Sequence, residues 1–420
     1  MFTDLPASTP RDSTRAYERI QALAVALGLI LFGGILKIGA APYIAFAFAG
    51  AFVVFLGSKP SFQDLLKCSV LGCVFGLIYH LNHGERIAYF GSELGTPSGF
   101  LGMGAIQVMA GQWIWAKPSQ RTRAFQNLRQ ACFIPSLCVG SMLAVGVAAQ
   151  LTPQTYDPVI YAFDGKFGWP SWTMGEIFHF HPRLFATCGF VYNSLPLALS
   201  TCLALQWQHQ IKFPVDLGIA TLTLGVIGFL LYQICPVSGP VYLFPGDFPT
   251  HIPHVLNASR IHLPPVPRNG MPSLHVAWAL LLAWNLRARR ALIVPSVFYL
   301  TFTILATLGS GEHYLADLLV SPALVLAVQS ACGGVTPGLR SFGLAVGSAI
   351  VLSWLIAFRT GVALAIPSGH TAGLLASLSI LLPAAVAWCV SATAAGVEQA
   401  CSTSSSPNST GTGEVVSDMM

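Results

Sequence analysis

Long apolar stretches separated by short polar segments run along almost the whole chain. Many of them approach the roughly 20 residues that a helix needs to cross the hydrocarbon core of a bilayer. Because backbone polar groups in lipid must be satisfied inside the segment, the pattern predicts an all-α, polytopic membrane bundle of about 10 to 12 transmembrane helices. The predicted spans are 20–39, 41–57, 65–81, 97–116, 131–151, 184–205, 215–234, 273–286, 291–309, 313–332, 341–358 and 372–391.

The composition agrees with lipid as the main solvent. Of the 420 residues, 54% are hydrophobic and only 9% are charged. Such a small number of charges cannot coat a soluble fold of this size, which excludes a soluble globular enzyme and a disordered protein. The net charge of +5 is scattered and too weak for binding to a phosphate backbone, so the predicted partners are the bilayer and a lipid, with no nucleic acid.

Basic segments predict the orientation. They lie at the N-terminus (1–19), at 117–129 and at 287–290, and counting spans puts all three on one side of the membrane. The positive-inside rule places that side, with the N-terminus, in the cytoplasm. The opposite, periplasmic or lumenal face then carries the loops 152–183, 235–272, 309–313 and 359–371.

Three regions differ in their polar content. Residues 1–151 form N-terminal transmembrane helices with few converging polar groups and no predicted role. Residues 152–392 hold nearly all the side chains suited to chemistry and form the predicted catalytic membrane domain. Residues 393–420 are rich in Ser, Thr and Gly, which predicts a disordered tail.

The first chemical motif is Arg-Asn-Gly-Met-Pro-Ser-Leu-His at 268–275. Pro272 suits the first turn of a helix, whose free N–H groups and positive dipole end favour an anion such as phosphate. Ser273 can cap this helix or donate its hydroxyl, and Arg268 offers planar donors for phosphate oxygens. The alternative is a proline-started helix with an interfacial histidine.

The second motif is Gly-Ser-Gly-Glu-His-Tyr-Leu-Ala-Asp at 309–317. His313 and Asp317 are separated by four residues and share a helix face. The carboxylate can accept the Nδ1 proton of the imidazole, leaving Nε2 as a nucleophile or base. Ionisable residues in a membrane span are functional candidates by default, although a polar pair capping a helix is the structural alternative.

The two motifs predict one site. The first motif starts the predicted span 273–286 and the second starts the span 313–332, both on the same face. Between them the chain crosses the membrane once in each direction, so the two imidazoles can face each other. This arrangement suits in-line phosphoryl transfer, with His313 attacking phosphorus, His275 protonating the leaving alkoxide, and Arg268 with the helix N–H groups stabilising the charged oxygens.

Pro-Ser-x-x-His followed by His-x-x-x-Asp resembles the type 2 phosphatidic acid phosphatase superfamily. The residues of both motifs look more like those of its inositol phosphorylceramide synthase branch. Two further stretches also resemble that branch: Cys-Pro-Val-Ser-Gly-Pro-Val-Tyr-Leu-Phe-Pro at 235–245 and Tyr-Ala-Phe-Asp at 161–164. The resemblance covers roughly residues 152–325. It implies a six-helix catalytic core that needs no metal or other cofactor, a phosphohistidine on His313, Asp317 as its orienting partner, and His275 as acid.

The sequence departs from the phosphatases at the phosphate-binding arginines. Those enzymes carry Arg six residues before the nucleophile, where this chain has Thr307, and a Lys-then-Arg-Pro motif upstream, which is missing here. Arg268 and Arg260 are the nearest substitutes for binding phosphate.

Several other features have plainer interpretations. Ile-Pro-Ser-Gly-His-Thr at 366–371 matches the phosphatase histidine motif, but no His-x-x-x-Asp follows, which favours a helix start over a role for His370. His251 and His254 lack the partners of a metal site, so none is predicted. Asp247 fits a turn, with orientation of a head group as the alternative. The aromatic segment 164–183 is predicted to lie flat at the interface, where it can also border a lipid entry route.

The sequence therefore predicts an integral membrane lipid phosphotransferase with its site on the non-cytoplasmic face. A lipid phosphate phosphatase shares the first half-reaction and differs in using water as the acceptor. A multi-span transporter is the alternative of another class, which the clustering of polar residues at one face disfavours. The head group, the acceptor and the oligomeric state are left open.

Overall fold

The structure, a computed structural model, describes residues 28, 41–83, 92–208, 213–254, 258–287, 289–333, 336–367 and 369–404. The helices before residue 152 form the N-terminal group. They are α1 (Pro42–Gly57), α2 (Phe62–His83), α3 (Ser92–Ile114) and α4 (Pro118–Leu151).

Residues 152–404 form the second group of helices. Its first half is α5 (Asp157–Asp164), a 3₁₀ turn (Gly165–Phe167), α6 (Pro170–Phe180), α7 (Pro182–Asn193), α8 (Leu195–Trp207), α9 (Leu217–Ile234) and α10 (Pro240–Leu243). Its second half is α11 (Leu274–Leu286), α12 (Arg290–Gly309), α13 (Leu315–Cys332), α14 (Pro337–Thr360), α15 (Val362–Ala365) and α16 (His370–Ser404). Two-residue strands, β1 (Gln154–Thr155) and β2 (Ile261–His262), pair antiparallel and tie the segment before α5 to the segment before α11.

Each group of helices has its own apolar core. One cluster is formed mainly by α1, α3 and α4, and a larger one surrounds α11 and α13. Helix α13 is the most enclosed of the candidate spans, with 83% of its apolar window buried, against 17% for α2. The helix that carries the His-x-x-x-Asp motif therefore lies at the centre of the second group.

The all-α polytopic bundle is confirmed, with fewer candidate spans than predicted. In the described part of the chain, seven helices are long and apolar enough to cross a membrane, or eight if the bent pair α7 and α8 counts as one span. That pair, predicted as the single span 184–205, bends by 40°, and Pro196 stands in the first turn of α8, where a missing N–H is tolerated. Helices α1 and α11, with 16 and 13 residues, fall short of the usual spanning length. The predicted span 20–39 lies outside the described residues, apart from residue 28.

Two predicted boundaries also shift. The basic segment predicted as a loop at 117–129 is helical, because α4 starts at Pro118 and runs through 34 residues. Helix α16 continues to Ser404, into the segment predicted to be a disordered tail, where several alanines favour helix. Residues 405–420 lie outside the described part.

Candidate active site

His313 lies directly before α13 and is only 1% exposed. Its Nδ1 is 3.3 Å from Oδ2 of Asp317, one turn into the helix. The same carboxylate oxygen accepts the Tyr314 N–H at 2.9 Å, so Asp317 also caps the start of α13. This contact directs the second ring nitrogen, Nε2, away from the carboxylate.

Asp164 fixes the same helix start from outside. Its two carboxylate oxygens accept the N–H groups of Leu315 at 2.7 Å and Ala316 at 3.1 Å, which are unpaired at a helix N-terminus. A carboxylate at this end of a helix also interacts favourably with the macrodipole. Helix α5 thereby holds in place the turn that carries His313.

Asp157, at the other end of α5, joins α13 to the loop 235–239. It accepts the N–H groups of Ser238 at 2.9 Å and Gly239 at 2.7 Å, and the Tyr314 hydroxyl at 3.1 Å. Gly239 has a φ of 113°, and a Cβ there would meet the Glu312 carbonyl oxygen at 2.3 Å. Only glycine fits this close approach between the loop and the backbone beside His313.

Burial changes the acidity of both α5 carboxyls. It raises the pKa of Asp164 to about 8, with the nearby Asp317 adding to the rise and the two N–H donors opposing it. It also raises the pKa of Asp157, against hydrogen bonds from Thr155, Gly239 and Ser238 that lower it. Both groups serve as buried acceptors that organise backbone, and neither contacts the cavity described below.

Ser273 connects the two motifs. It is the N-cap residue of α11, and its Oγ lies 3.5 Å from Nε2 of His313. The Ser273 N–H donates to the Asp317 carbonyl oxygen at 3.3 Å, and the Ser321 hydroxyl donates to the Ser273 carbonyl oxygen at 3.0 Å. The start of α11 is therefore bonded to α13, with a hydroxyl close to Nε2 of His313.

His275 lies one residue into α11 and has a different environment. The ring of Tyr192 stacks on its imidazole at a centroid distance of 4.0 Å, and the Tyr192 hydroxyl lies 3.0 Å from Nδ1 of His275. The same hydroxyl donates to Oε2 of Glu312 at 3.1 Å. Because a phenol has one proton, Nδ1 of His275 must be the donor to the Tyr192 oxygen, which leaves Nε2 without a partner in this chain of bonds.

Two short series of contacts link the two histidines. Glu312 precedes His313 in the chain and is linked to His275 through Tyr192. Ser273, two residues before His275, has its Oγ 3.5 Å from Nε2 of His313. The structure thus unites His275, His313, Asp317 and Ser273 in one region.

A large cavity of about 1300 Å³ opens at His275. The polar residues that line it include Glu312, Tyr192, Tyr242 and Asn269, and helices α4, α8 and α9 contribute to its walls. Neither His313 nor Ser273 lines the cavity; both are buried, although the adjacent residues Glu312 and Leu274 do line it. A substrate in this cavity would meet His275 first.

Arg268, predicted to contact phosphate, contacts backbone carbonyl oxygens in this structure. It is fully buried, and its guanidinium donates to the carbonyl oxygens of residues 152, 153, 263, 264 and 266 and to the Ser238 hydroxyl. These acceptors occupy its donors and bind together the ends of the loop 235–272. Burial lowers the pKa of Arg268, and the nearby Asp157 opposes that effect.

Arg260 also lies apart from the two histidines. It is exposed, and its guanidinium stacks over the ring of Tyr156 at 5.7 Å. Neither arginine is brought to His313 or His275 by any contact in the described part of the chain, so their binding of phosphate stays a prediction.

The remaining features fall outside this group. His370 is exposed at the start of α16, and His251 and His254 are exposed in the outer loop. Among the described residues no group of three or more His, Cys, Asp or Glu side chains is arranged to hold a metal. The Asp247 carbonyl oxygen accepts the His251 N–H at 2.7 Å, which is the geometry of a turn.

The aromatic segment 164–183 is more buried than an interfacial helix would be. Trp172 is 2% exposed and packs against Tyr161, Phe244 and Phe248. Phe178 is 4% exposed, whereas Phe180 is 69% exposed. One face of α6 therefore belongs to the core beside the site.

Sequence reasoning missed four polar residues of the site: Asp157, Asp164, Tyr192 and Glu312. Asp164 and Glu312 each stand inside a motif of the sequence without a predicted role, whereas Asp157 and Tyr192 belong to no predicted motif. One signal was present for the acids, because charged residues make up only 9% of the chain and a carboxylate in such a background needs a buried partner. The tyrosine carried no comparable signal.

A family model described as the PAP2 superfamily matches residues 159–331. This segment runs from α5 to the end of α13 and contains His275, His313 and Asp317. The match supports the superfamily that the motifs resemble, and with it an enzyme of the phosphatase or phosphotransferase type. The comparison with curated proteins and the comparison with solved structures each found no match.

Proposed function

We propose that the protein is a membrane enzyme that transfers a phosphoryl-type group from a lipid phosphoester through a phosphohistidine on His313. The observation that carries the proposal is the position of His313, with Asp317 at Nδ1 and Ser273 in front of Nε2, next to a cavity that opens at His275. The superfamily match supports the reaction class.

The first step forms one bond and breaks another. Nε2 of His313 attacks phosphorus with its lone pair, and the bond from phosphorus to the leaving oxygen breaks. Asp317 accepts a hydrogen bond from Nδ1–H of His313. This bond keeps Nε2 unprotonated before attack and stabilises the charged ring afterwards. Ser273 Oγ and the N-terminus of α11 donate hydrogen bonds to the phosphoryl oxygens.

His275 handles the proton. In its protonated form, Nε2 gives a proton to the leaving alkoxide, and in the second step it takes the proton of the incoming hydroxyl as that oxygen attacks phosphorus and the bond to His313 breaks. Tyr192 and Glu312 act as positioning residues, since their hydrogen bonds keep Nδ1 of His275 protonated.

The likeness of both motifs to the inositol phosphorylceramide synthase branch supports transfer to an alcohol over hydrolysis. Hydrolysis by the same two histidines is the second candidate, and it needs only a water molecule in the acceptor position.

The positive-inside pattern supports a site on the non-cytoplasmic face, with a cytoplasmic N-terminus. Residues 117–129 and 287–290 carry the basic groups; the first segment lies at the start of α4, and the second follows α11 at the end opposite to His275. Accessibility labelling of a single cysteine introduced at Arg260, compared with one at Arg121, tests this orientation in sealed vesicles.

The experiment that tests the function is product analysis with the purified protein. It is supplied with phosphatidic acid as a phosphomonoester and phosphatidylinositol as a phosphodiester, each with and without an alcohol acceptor. A new phosphoester of the alcohol, which is a phosphodiester from phosphatidylinositol and a phosphomonoester from phosphatidic acid, supports transfer. Release without acceptor of inorganic phosphate from phosphatidic acid, or of inositol phosphate from phosphatidylinositol, supports hydrolysis. Uptake of intact lipid into proteoliposomes without cleavage would favour a transporter and overturn the proposal.

A further inference from the structure

One wall of the cavity at His275 lies outside the segment that matches the PAP2 superfamily. Helix α4 lines the cavity along much of its length, whereas the match begins at residue 159. We propose that this cavity binds the hydrocarbon chains of the lipid whose phosphoester reacts at the histidines, and that α4 is the chain-binding wall. The proposal rests on the proposed function and assigns a role to part of the N-terminal region.

The dimensions fit hydrocarbon chains. The cavity volume of about 1300 Å³ exceeds the roughly 300 to 1,000 Å³ of common small-molecule pockets. Its lining on α4 extends from Phe125 to Gln150, which at about 1.5 Å per residue is roughly 37 Å along the helix axis. That length is comparable to the roughly 30 Å thickness of the hydrocarbon core of a bilayer.

The polarity of the cavity matches an amphipathic molecule. Its end at the site carries Glu312, His275 and Asn269, which can face a polar head group. Apolar side chains from three different helices form much of the remaining lining, which also includes the polar residues Arg129, Ser136, Ser141, Gln150 and Asn193. The apolar side chains include Leu137, Val145, Leu199, Val226 and Phe229.

Small residues keep this wall open. A Cβ placed on Gly140 or Gly146 would have no atom within 4 Å, although both glycines line the cavity. Across the cavity, a Cβ on Gly225 would lie 3.4 Å from Leu137 and 3.5 Å from Trp278. The space beside these glycines is continuous with His275, which favours the chains of the reacting lipid over an unrelated occupant.

Filling this space tests the proposal. Gly140→Phe and Gly146→Phe should shorten the chain that the cavity accepts, because their side chains enter open space. With dioctanoyl and dioleoyl phosphatidic acid or phosphatidylinositol as substrates, the ratio of kcat/KM for the long-chain to the short-chain lipid should fall by about fourfold for each excluded methylene. Gly373→Phe is the matched control, because Gly373 also has open space around it but lies on α16, which does not line the cavity. That control should keep the ratio of the unaltered protein.

Photo-crosslinking gives a readout that does not need turnover. A phospholipid with a diazirine near the end of one acyl chain should label peptides from 118–151 in the unaltered protein and equally in His313→Ala. Labelling confined to α14 or α16, or an unchanged chain-length ratio in both glycine variants, would overturn the assignment. Labelling of α4 without turnover of any lipid would refute the proposed function and leave the chain site standing.

Discussion

The two histidines are held in opposite ways. His313 is buried, and the turn that carries it is fixed by the carboxylates of Asp164 and Asp317 and, through Tyr314, by Asp157. His275 faces a cavity and is held by side chains alone, through stacking on Tyr192 and a bond that continues to Glu312.

This difference suits the two roles. A nucleophile must reach phosphorus along one line, so a rigid backbone setting favours it. A proton donor and acceptor must exchange its proton with substrates that enter and leave, so contact with a cavity favours it. The comparison predicts that changes around His313 affect both stability and rate, whereas changes around His275 affect mainly rate and its pH dependence.

The largest effect is expected from His313→Ala. It removes the atom that forms the covalent intermediate, so turnover should fall by at least about a thousandfold. The measurements are the initial rate with the lipid substrates and trapping of a phosphorylated protein after an acid quench. A phospho-adduct that persists in His313→Ala would refute the nucleophile assignment.

His275→Ala should lower kcat by about 10² to 10⁴, the usual range for a general acid or base. The phospho-adduct should still form slowly from a substrate with a good leaving group, because such a group needs no proton. His370→Ala is the matched control, since His370 ends a similar Pro-Ser motif but is exposed on α16. Equal losses in the two variants would contradict the assignment of His275.

Changes to the positioning residues should have a smaller effect. Glu312→Gln and Tyr192→Phe each weaken the bond that holds Nδ1 of His275, which should lower kcat by about tenfold. The titratable groups linked to His275 are Tyr192, which contacts its ring, and Glu312, which accepts the Tyr192 hydroxyl proton. Because Glu312 is the carboxylate among them, its loss disfavours the protonated imidazole, and the alkaline limb of the kcat–pH profile should move to lower pH in Glu312→Gln.

Tyr299→Phe is the control for these variants. Tyr299 is another buried tyrosine, whose hydroxyl donates to the Val191 carbonyl oxygen and contacts neither histidine. It should leave the shape of the pH profile unchanged. An unchanged profile in Glu312→Gln would show that Glu312 has a purely structural role.

Much of the fold could be predicted from the sequence because lipid leaves few alternatives to helices. The spans at 215–234 and 291–309 agree with helices α9 and α12 to within two residues at each end. Boundaries set by tertiary contacts were harder to predict. The basic segment 117–129 continues α4, although its composition is typical of a cytoplasmic loop.

The core of the site could be predicted because it depends on local spacing. His313 and Asp317 are four residues apart at the start of α13 and contact each other, and Ser273 at the start of α11 lies beside His313. Arg268 shows the limit of this reasoning. A guanidinium suits phosphate and carbonyl oxygens equally well, and only the fold reveals that the residues around 152 and 264 approach it.

Arg268→Lys should separate these two roles. An ammonium group cannot reach all the acceptors of the guanidinium, so unfolding should become easier by about 3 kcal/mol, from the loss of several hydrogen bonds of a charged donor. KM of the folded fraction should stay within about a factor of two, as the geometry puts the guanidinium on carbonyl oxygens. Arg260→Lys, at an exposed site, is the control and should change neither. A raised KM with unaltered stability would instead support phosphate binding by Arg268.

The smallest expected effect is on the pH dependence of thermal stability, through Asp164, which holds the turn that carries His313. Burial raises the pKa of Asp164 from 3.8 to about 8, so the folded protein binds a proton there that the unfolded chain releases above about pH 4. The stabilisation is complete below the pKa of the unfolded chain and is lost as the pH rises through the pKa of the folded protein, so Tm should be lower near pH 8.5 than near pH 6.

Asp164→Asn should reduce the fall of Tm with pH, while Asp247→Asn, in an outer turn, should retain it. The dependence on Asp157 persists in both variants, because burial raises its pKa in the same direction. A slope that is identical in Asp164→Asn and the unaltered protein would mean that Asp164 is ionised where it caps α13, and the rigidity of the turn at His313 would then rest on a charged carboxylate.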